Sequence, residues 1–249
     1  MAIGPIFVIL PIHNEQDSIS YVLDELIGVF SGPNNRERSW QVVLSEDGSQ
    51  DRTREILTRY VTNYPENFVL LEESSERLGY SRAVIRGLSQ VPETAIACVM
   101  DSDGQCDPRD LSRVIDLVVP SHSVGVGSRR PRIDGRSRLV YSRLFGLVFT
   151  FLFKVRLDDP SSPIVAIHGA DIHRVLDPNP SLEFGYWWEF QARCKIVGLS
   201  AREVAVTHRA RRDGLTRVYR VSKLPRIAIS HVYGLFKLKR ELAKSTTLS

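Results

Sequence analysis

Ile6 to Ile12 is an unbroken apolar stretch, and behind it Ile19, Val22, Leu23, Leu26, Ile27 and Phe30 recur at intervals of three and four. This predicts a strand, a short polar loop and an amphipathic helix, with Asp17 and Ser18 as capping candidates. The unit then repeats. Trp40 to Leu44 reads as a second strand, with Ile56, Leu57, Tyr60, Val61 and Tyr64 as the stripe of a second helix. Phe68 to Leu71 starts a third pass, followed by a helix carrying Ala83, Val84 and Leu88. Ala95 to Met100 reads as a fourth strand, and Asp107 caps a helix with Pro108 at its first position and Leu111, Val114, Ile115 and Val118 on its buried side. Val124 to Gly127 reads as a fifth strand.

Strands alternating with helices need crossover connections, so the expected fold is α/β, with a mostly parallel sheet flanked by helices on both faces. Ligands of such sheets bind beyond the carboxyl ends of the strands. Three polar clusters fall at such ends: His13-Asn14-Glu15, Glu46-Asp47-Gly48-Ser49 and Asp101-Ser102-Asp103-Gly104-Gln105. After about residue 130 the pattern loosens into Arg-rich, aromatic and Pro-interrupted segments, read here as an acceptor-side region packed on the sheet.

Composition fits one domain: 249 residues, 43% hydrophobic and 25% charged. The net charge of +4 is uneven, with Arg and Lys concentrated in Arg129 to Arg143 and His208 to Arg240. Charge alone admits an anionic membrane surface, phosphate groups or nucleic acid equally, and a solvated basic face as well. Cys98, Cys106 and Cys194 are odd in number and lack any CxxC spacing, which argues against a disulfide framework or zinc site and for a reducing, cytoplasmic compartment. No basic n-region precedes Ile6 to Ile12, so a signal peptide is not expected. Leu144 to Phe153 is shorter than the roughly 20 residues a bilayer span needs.

Asp101 and Asp103, two apart at a strand end, can present carboxylates to one side, and Gln105 can join them. Such hard oxygen donors, completed by phosphates and water, suit Mg²⁺ or Mn²⁺ on a nucleotide diphosphate. An isolated DxDG is more often plain turn chemistry than a metal site. An EF-hand does not fit, because Cys106 and Ser112 stand where Gly and Glu are required. Asp47 could accept from a base or ribose, or form an Asx turn with Asp51 as N-cap.

In order along the chain these clusters resemble glycosyltransferase family 2, of the GT-A fold. Pro11, Asn14 and Glu15 match its Pro-x-x-Asn-Glu opening. Glu46 to Thr53 match Asp-Asp-Gly-Ser-x-Asp-x-Thr with Glu46 for the first Asp, Arg77 to Ala83 match its Gly-x-x-x-Ala stretch, and Asp101-Ser102-Asp103 match its DxD motif. Gln105, Gly127-Ser128-Arg129, Asp159-Pro160-Ser161-Ser162-Pro163 and Arg212-x-Gly214-x-Thr216-Arg217 are similar to the polyprenyl-phosphate glycosyltransferases, dolichyl-phosphate mannosyltransferase among them. His13 and Ser161-Ser162-Pro163 depart from the usual pattern.

The resemblance implies a metal-dependent hexosyltransferase that moves a sugar from a nucleotide-sugar donor, of the GDP-mannose or UDP-glucose type, to a lipid-linked phosphate. It assigns the metal to Asp101, Asp103 and Gln105, and the donor and acceptor phosphates to Arg129, Arg212 and Arg217, with Arg138 a weaker candidate. It places Pro11, His13, Glu15, Glu46, Asp47, Ser49, Gly79, Arg82, Asp101 and Ser102 around the nucleotide, with Asp103 at the reacting centre. The expected division is a GT-A domain over residues 1–220, with a donor half to about 130, followed by a C-terminal amphipathic helix and tail over 221–249. In that tail, Ile227 to Leu242 interleaves apolar residues with Lys237, Lys239 and Arg240, which suits a helix in a membrane interface or a packing helix with a solvated basic face. A peripheral place on the cytoplasmic membrane face follows.

Other functions stay in view. Transfer to a saccharide hydroxyl would need a carboxylate base, for which Asp158, Asp159 and Glu189 are candidates. A sugar-phosphate nucleotidyltransferase would carry a Gly-rich, Arg-containing loop after the first strand, where this chain has Pro11 to Glu15. A basic nucleic-acid-binding module would leave three acidic clusters unexplained, since acid repels phosphate unless a metal intervenes.

Overall fold

The computed structural model describes residues 4–32, 38–71, 77–132, 136–182, 185–210 and 232–241. The expected repeat is present: β1 (Ile6–Ile12), α1 (Ile19–Phe30), β2 (Trp40–Glu46), α2 (Thr53–Asn63), β3 (Phe68–Leu71), α3 (Tyr80–Leu88) and β4 (Ile96–Val99). The helix expected after Asp107 is a single 3₁₀ turn, Pro108–Asp110, running into a short α4 (Leu111–Ile115). Asp107 does cap it, accepting from the Arg109 N–H at 3.0 Å. Then come β5 (Ser123–Arg129), α5 (Arg136–Phe153), β6 (Val165–His168), α6 (Gly169–Val175), α7 (Tyr186–Ile196) and β7 (Ser200–Val206). Residues 232–241 form α8.

The seven strands form one sheet in the order β3-β2-β1-β4-β6-β5-β7, in which only β6 runs against its neighbours. Two of its strands, β6 and β7, therefore come from the part of the chain after residue 130, where the sequence pattern announced none. The four residues of β6 are too few to show a period, and β7 alternates as a half-exposed edge strand, with burial confined to its last residue.

β1 is apolar throughout because both its faces are covered. Ile6, Val8, Leu10 and Ile12 enter the cluster containing Leu23 and Leu26 of α1 and Leu57 of α2, whereas Ile9 enters the opposite cluster with Val84 and Leu88 of α3 and Phe190 of α7. Full burial of each such side chain contributes about 1.5–3 kcal/mol. α3 lies close enough that a Cβ on Gly87 would meet the Ile9 Cγ2 at 2.3 Å. A third cluster joins Phe145, Phe149 and Phe153 of α5 to Trp188 of α7 and to Leu235 and Leu238 of α8. No helix among the described residues is long and apolar enough to cross a membrane.

Candidate active site

The loops after β1 and β2 are bonded to each other almost residue by residue. His13 Nδ1 donates to the Asp47 carbonyl at 2.8 Å, the Asn14 N–H donates to Ser49 Oγ at 2.9 Å, and the Gln50 N–H donates to Asn14 Oδ1 at 2.7 Å. The Glu15 N–H reaches Thr53 Oγ1 at 2.8 Å and the Thr53 N–H donates to Asp51 Oδ1 at 2.9 Å, but the N-cap position of α2 is Arg52, one residue after the expected Asp51. Asn14 takes a left-handed φ of 54°, a conformation asparagine tolerates better than most residues. The motif residues thus satisfy backbone groups that no helix or strand serves.

Asp47 is buried and works the same way on the next loop, its two oxygens accepting from the Leu78 and Gly79 N–H groups at 2.8 and 2.9 Å. Gly79 has a φ of 99°, which a side chain would strain. The following residue, Tyr80, opens α3 and donates its hydroxyl to Asp101 Oδ1 at 2.8 Å, while Trp187 Nε1 of α7 donates to the same hydroxyl at 2.9 Å. Because the indole can only donate, the single phenolic proton is fixed toward Asp101. Neither Tyr80 nor Trp187 stood out in sequence. Tyr80 lies inside the Arg77 to Ala83 motif, whereas nothing local marks Trp187, which reaches the site from 107 residues away.

Asp101, Ser102 and Asp103 follow β4. Ser102 is buried, and its Oγ donates to the Pro11 carbonyl at 2.8 Å. Asp103 Oδ1 accepts from the Gln105 N–H at 3.0 Å, with Gly104 at a φ of 77°, so this DxDG does form a turn. Glu15 accepts from the Ser18 hydroxyl at 2.9 Å. Burial and then the charge of Asp103 push the Asp101 carboxyl up to about 7. Glu15 adds to that push, while the Tyr80 hydrogen bond and the Arg129 charge oppose it. These influences place Glu15, Asp101, Asp103 and Arg129 within electrostatic reach of one another.

Gln105 gives its amide nitrogen to the Arg209 carbonyl at 3.4 Å and accepts from the Arg209 N–H at 2.8 Å through its own carbonyl. Arg209 is anchored by Glu25 at 2.7 Å and Asp107 at 2.6 Å. Burial alone would raise the Asp107 carboxyl, but hydrogen bonds from Arg109 and Arg209 outweigh it and bring it to about 2. The chain leading to Arg212 and Arg217 therefore departs from beside Gln105, though both arginines and the side chain of Arg138 lie outside the described residues.

Arg129, at the end of β5, is 7% exposed and grips Asp159, which is 1% exposed, through Nε to Oδ2 at 2.6 Å and Nη2 to Oδ1 at 3.0 Å. Its Nη2 also reaches Ser161 Oγ at 3.0 Å, and Arg132 approaches the same carboxylate at 3.4 Å. Burial would raise the Asp159 carboxyl, yet these guanidinium groups hold it below its usual range. Arg82 is exposed on α3 and donates to Asn179 at 3.2 Å. Arg86 is hydrogen-bonded to the Glu46 carbonyl, and Glu46 accepts from the Ser49 N–H.

Asp101 and Asp103 have no ion-pair partner among the described residues. Two hard carboxylates near enough that the charge of Asp103 adds to the burial raising Asp101, with Gln105 two residues on, fit a divalent cation in donor type and charge. Among the described residues no three of His, Cys, Asp and Glu form a closed cage. The fit is therefore to a site completed by a ligand's phosphates.

Sheet order and crossover helices define a doubly covered α/β fold with its acidic residues gathered at the carboxyl edge of the strands. Residues 7–175 match Glycosyl transferase family 2, and the chain belongs to that family. It is 30% identical over 145 residues to dolichyl-phosphate beta-glucosyltransferase of Dictyostelium discoideum, covering 55% of this chain and 43% of that protein. It is 27% identical over 149 residues to undecaprenyl-phosphate 4-deoxy-4-formamido-L-arabinose transferase of Photorhabdus laumondii, covering 59% and 44%. The chain thus spans less than half the length of these relatives. Glucosyl-3-phosphoglycerate synthase of Mycobacterium tuberculosis, solved with Mn²⁺, UDP and glucosyl-3-phosphoglycerate, superposes with a TM-score of 0.65 at 18% identity over 94% of this chain and 80% of that one. Mannosyl-3-phosphoglycerate synthase of Rubrobacter xylanophilus superposes at 0.67 with 15% identity over 96% and 75%. These likenesses establish the GT-A fold.

Proposed function

We propose that this chain transfers a sugar from a nucleotide-sugar donor, of the GDP-mannose or UDP-glucose type, to a polyprenyl phosphate. The observation that carries the reading is the acidic pair Asp101 and Asp103 at the carboxyl edge, left without a cationic partner among the described residues. In this reading Asp101, Asp103 and Gln105 hold Mg²⁺ or Mn²⁺, which when bound neutralises charge on the leaving diphosphate. Tyr80 orients Asp101. The interlocked loops carrying Pro11, His13, Glu15, Glu46, Asp47 and Ser49 form a pre-organised floor for the nucleotide, with Gly79, Arg82 and Ser102 at its margin. Arg129, Arg212 and Arg217 face donor and acceptor phosphates. The donor half ends near residue 130, the acceptor half near 220, and the enzyme works at the cytoplasmic membrane surface.

Support comes from the Mn²⁺ and UDP in the mycobacterial neighbour and from the lipid phosphates in the relatives' names. The candidate bases for a hydroxyl acceptor supply more. Asp159 is locked to Arg129, Asp158 to Arg130, and Glu189 to Arg193 at 2.7 Å and the Leu182 N–H at 2.9 Å. The guanidinium groups hold the Asp159 carboxyl below its usual range and so disfavour it as a base, whereas a phosphate acceptor is already ionised and needs none. The test is a transfer screen of UDP-, GDP- and CDP-sugars with Mn²⁺, offering a short isoprenyl phosphate against soluble saccharides. Product on the lipid phosphate is expected; product only on saccharides removes the assignment.

A further inference from the structure

α5 is apolar on two sides. Phe145, Phe149 and Phe153 face the third core cluster, yet Leu144, Leu147, Val148 and Phe151 are exposed, with Leu147 at 69% and Phe151 at 72%. The spacing of three, four and seven puts these four on a single outward stripe. α8 repeats the arrangement on the same cluster, burying Leu235 and Leu238 while Val232, Tyr233 and Phe236 stand exposed. A water-facing stripe of this kind needs an occupant, since monomeric surfaces rarely leave contiguous large apolar groups uncovered.

Charge identifies the occupant. Between Asp134 and Asp158 the sequence contains no acidic residue, while Arg143, Lys154 and Arg156 are exposed around the α5 stripe. The Lys154 Nζ lies 5.1 Å from the Phe151 ring centroid, an ammonium carried at the rim of the apolar face. Lys239 and Arg240 are exposed on α8 beside Phe236. A second copy of this chain would bring like charges together across a two-fold axis. Anionic headgroups, in contrast, neutralise the rim while the stripe enters the acyl boundary.

We propose that the outward faces of α5 and α8 are the surface on which this protein lies on an anionic bilayer. The surface adjoins the candidate site. Ser142, two residues before Leu144, accepts from Arg132 Nη1 at 3.1 Å, and the same nitrogen reaches Asp159, the partner of Arg129. A lipid phosphate lying in that bilayer would arrive beside these guanidinium groups with its tail still in the membrane. The proposal draws its purpose from the lipid-phosphate reading above, and its test separates the two.

The experiment is co-sedimentation of the full chain with phosphatidylcholine vesicles and with vesicles containing phosphatidylglycerol, comparing wild type with Leu147→Glu/Phe151→Glu. Both positions are exposed, so the variant should keep its melting temperature, and hydrogen exchange across 144–154 reports contact independently. Expected are binding to phosphatidylglycerol vesicles that weakens at least tenfold in the variant, and slower exchange over 144–154 when vesicles are present. Wild type that ignores such vesicles, or a variant that binds as well as wild type, overturns the proposal. So does a dimer that the two substitutions dissolve, which would name a second copy as the occupant. Transfer to a short, water-soluble isoprenyl phosphate is measured alongside. Its failure in both proteins would strike the transferase reading alone, because vesicle binding is scored without it.

Discussion

The stretches of chain before and after about residue 130 use carboxylates in opposite ways. Around β1, β2 and α3, acids and amides accept from backbone N–H groups, as Asp47 does from Leu78 and Gly79 and Asn14 from Gln50. Around β5 and the strands beyond it, acids face guanidinium groups, as Asp159 does Arg129 and Glu189 does Arg193. The first arrangement fixes loop shape without cancelling much charge, and the second buries charge in matched pairs. Asp101 and Asp103 sit between the two regimes: they accept from the Tyr80 hydroxyl and the Gln105 N–H yet form no ion pair among the described residues, and burial, then the charge of Asp103, raises the Asp101 carboxyl. Acids that no guanidinium pairs, more than the abundant ones, mark where chemistry can take place.

The comparison breaks most visibly at Asp103. Asp103→Ala should lower transfer by about 10²-fold or more by removing electrostatic stabilisation of the leaving group, with the melting temperature unchanged. A large fall in melting temperature would make Asp103 a structural acid like its neighbours. Asp159→Ala should do the reverse, costing about 3–5 kcal/mol in chemical denaturation because it leaves the Arg129 charge buried and unpaired. A loss under about 1 kcal/mol would show that water reaches this pair as it does exposed ones. Ser49→Ala, which removes one neutral acceptor between two loops, should cost about 0.5–1.5 kcal/mol and raise the donor KM more than it lowers kcat. Tyr80→Phe is the mildest. It should raise the Mn²⁺ concentration for half-maximal activity by about 10-fold, as loss of a group supporting a metal ligand does, with kcat at saturating Mn²⁺ little changed.

Acid sharpens the same contrast. The Asp107 carboxyl is held at about 2 and that of Asp159 below its usual range, so both titrate lower in the folded protein than in the unfolded chain. Their contribution to stability is present above the unfolded value near 4 and is lost as pH falls toward about 2. Asp107→Asn should flatten the fall in melting temperature across that window, and an unchanged acid limb would contradict the assignment.

The sheet was most legible in sequence where strands are covered on both faces, as β1 and β4 are, because such a strand reads as a near-continuous apolar run. β6 and β7 were not, one being too short for a period and the other half-exposed at an edge. The helix expected after Asp107 shrank to a 3₁₀ turn and five residues, although the predicted cap forms. In the candidate site, Asp101 and Asp103 were legible as an acidic pair at a strand end. Asp47 and Ser49 were legible as motif positions, but their bonding to neighbouring loops was not, since it depends on register between β1 and β2. The Trp187–Tyr80–Asp101 chain depends on how α7 packs beside α3.

In the reading proposed for this chain, Asp101 and Asp103 form the cation-dependent end of a nucleotide site. Calorimetric titration of UDP and GDP into the full chain, with Mn²⁺ or with EDTA, tests it most directly. At least one diphosphate should bind with Mn²⁺, EDTA should abolish the heat, and Asp103→Ala should bind at least about tenfold more weakly than wild type while keeping its fold. Equal binding with EDTA, or by Asp103→Ala in Mn²⁺, would contradict it.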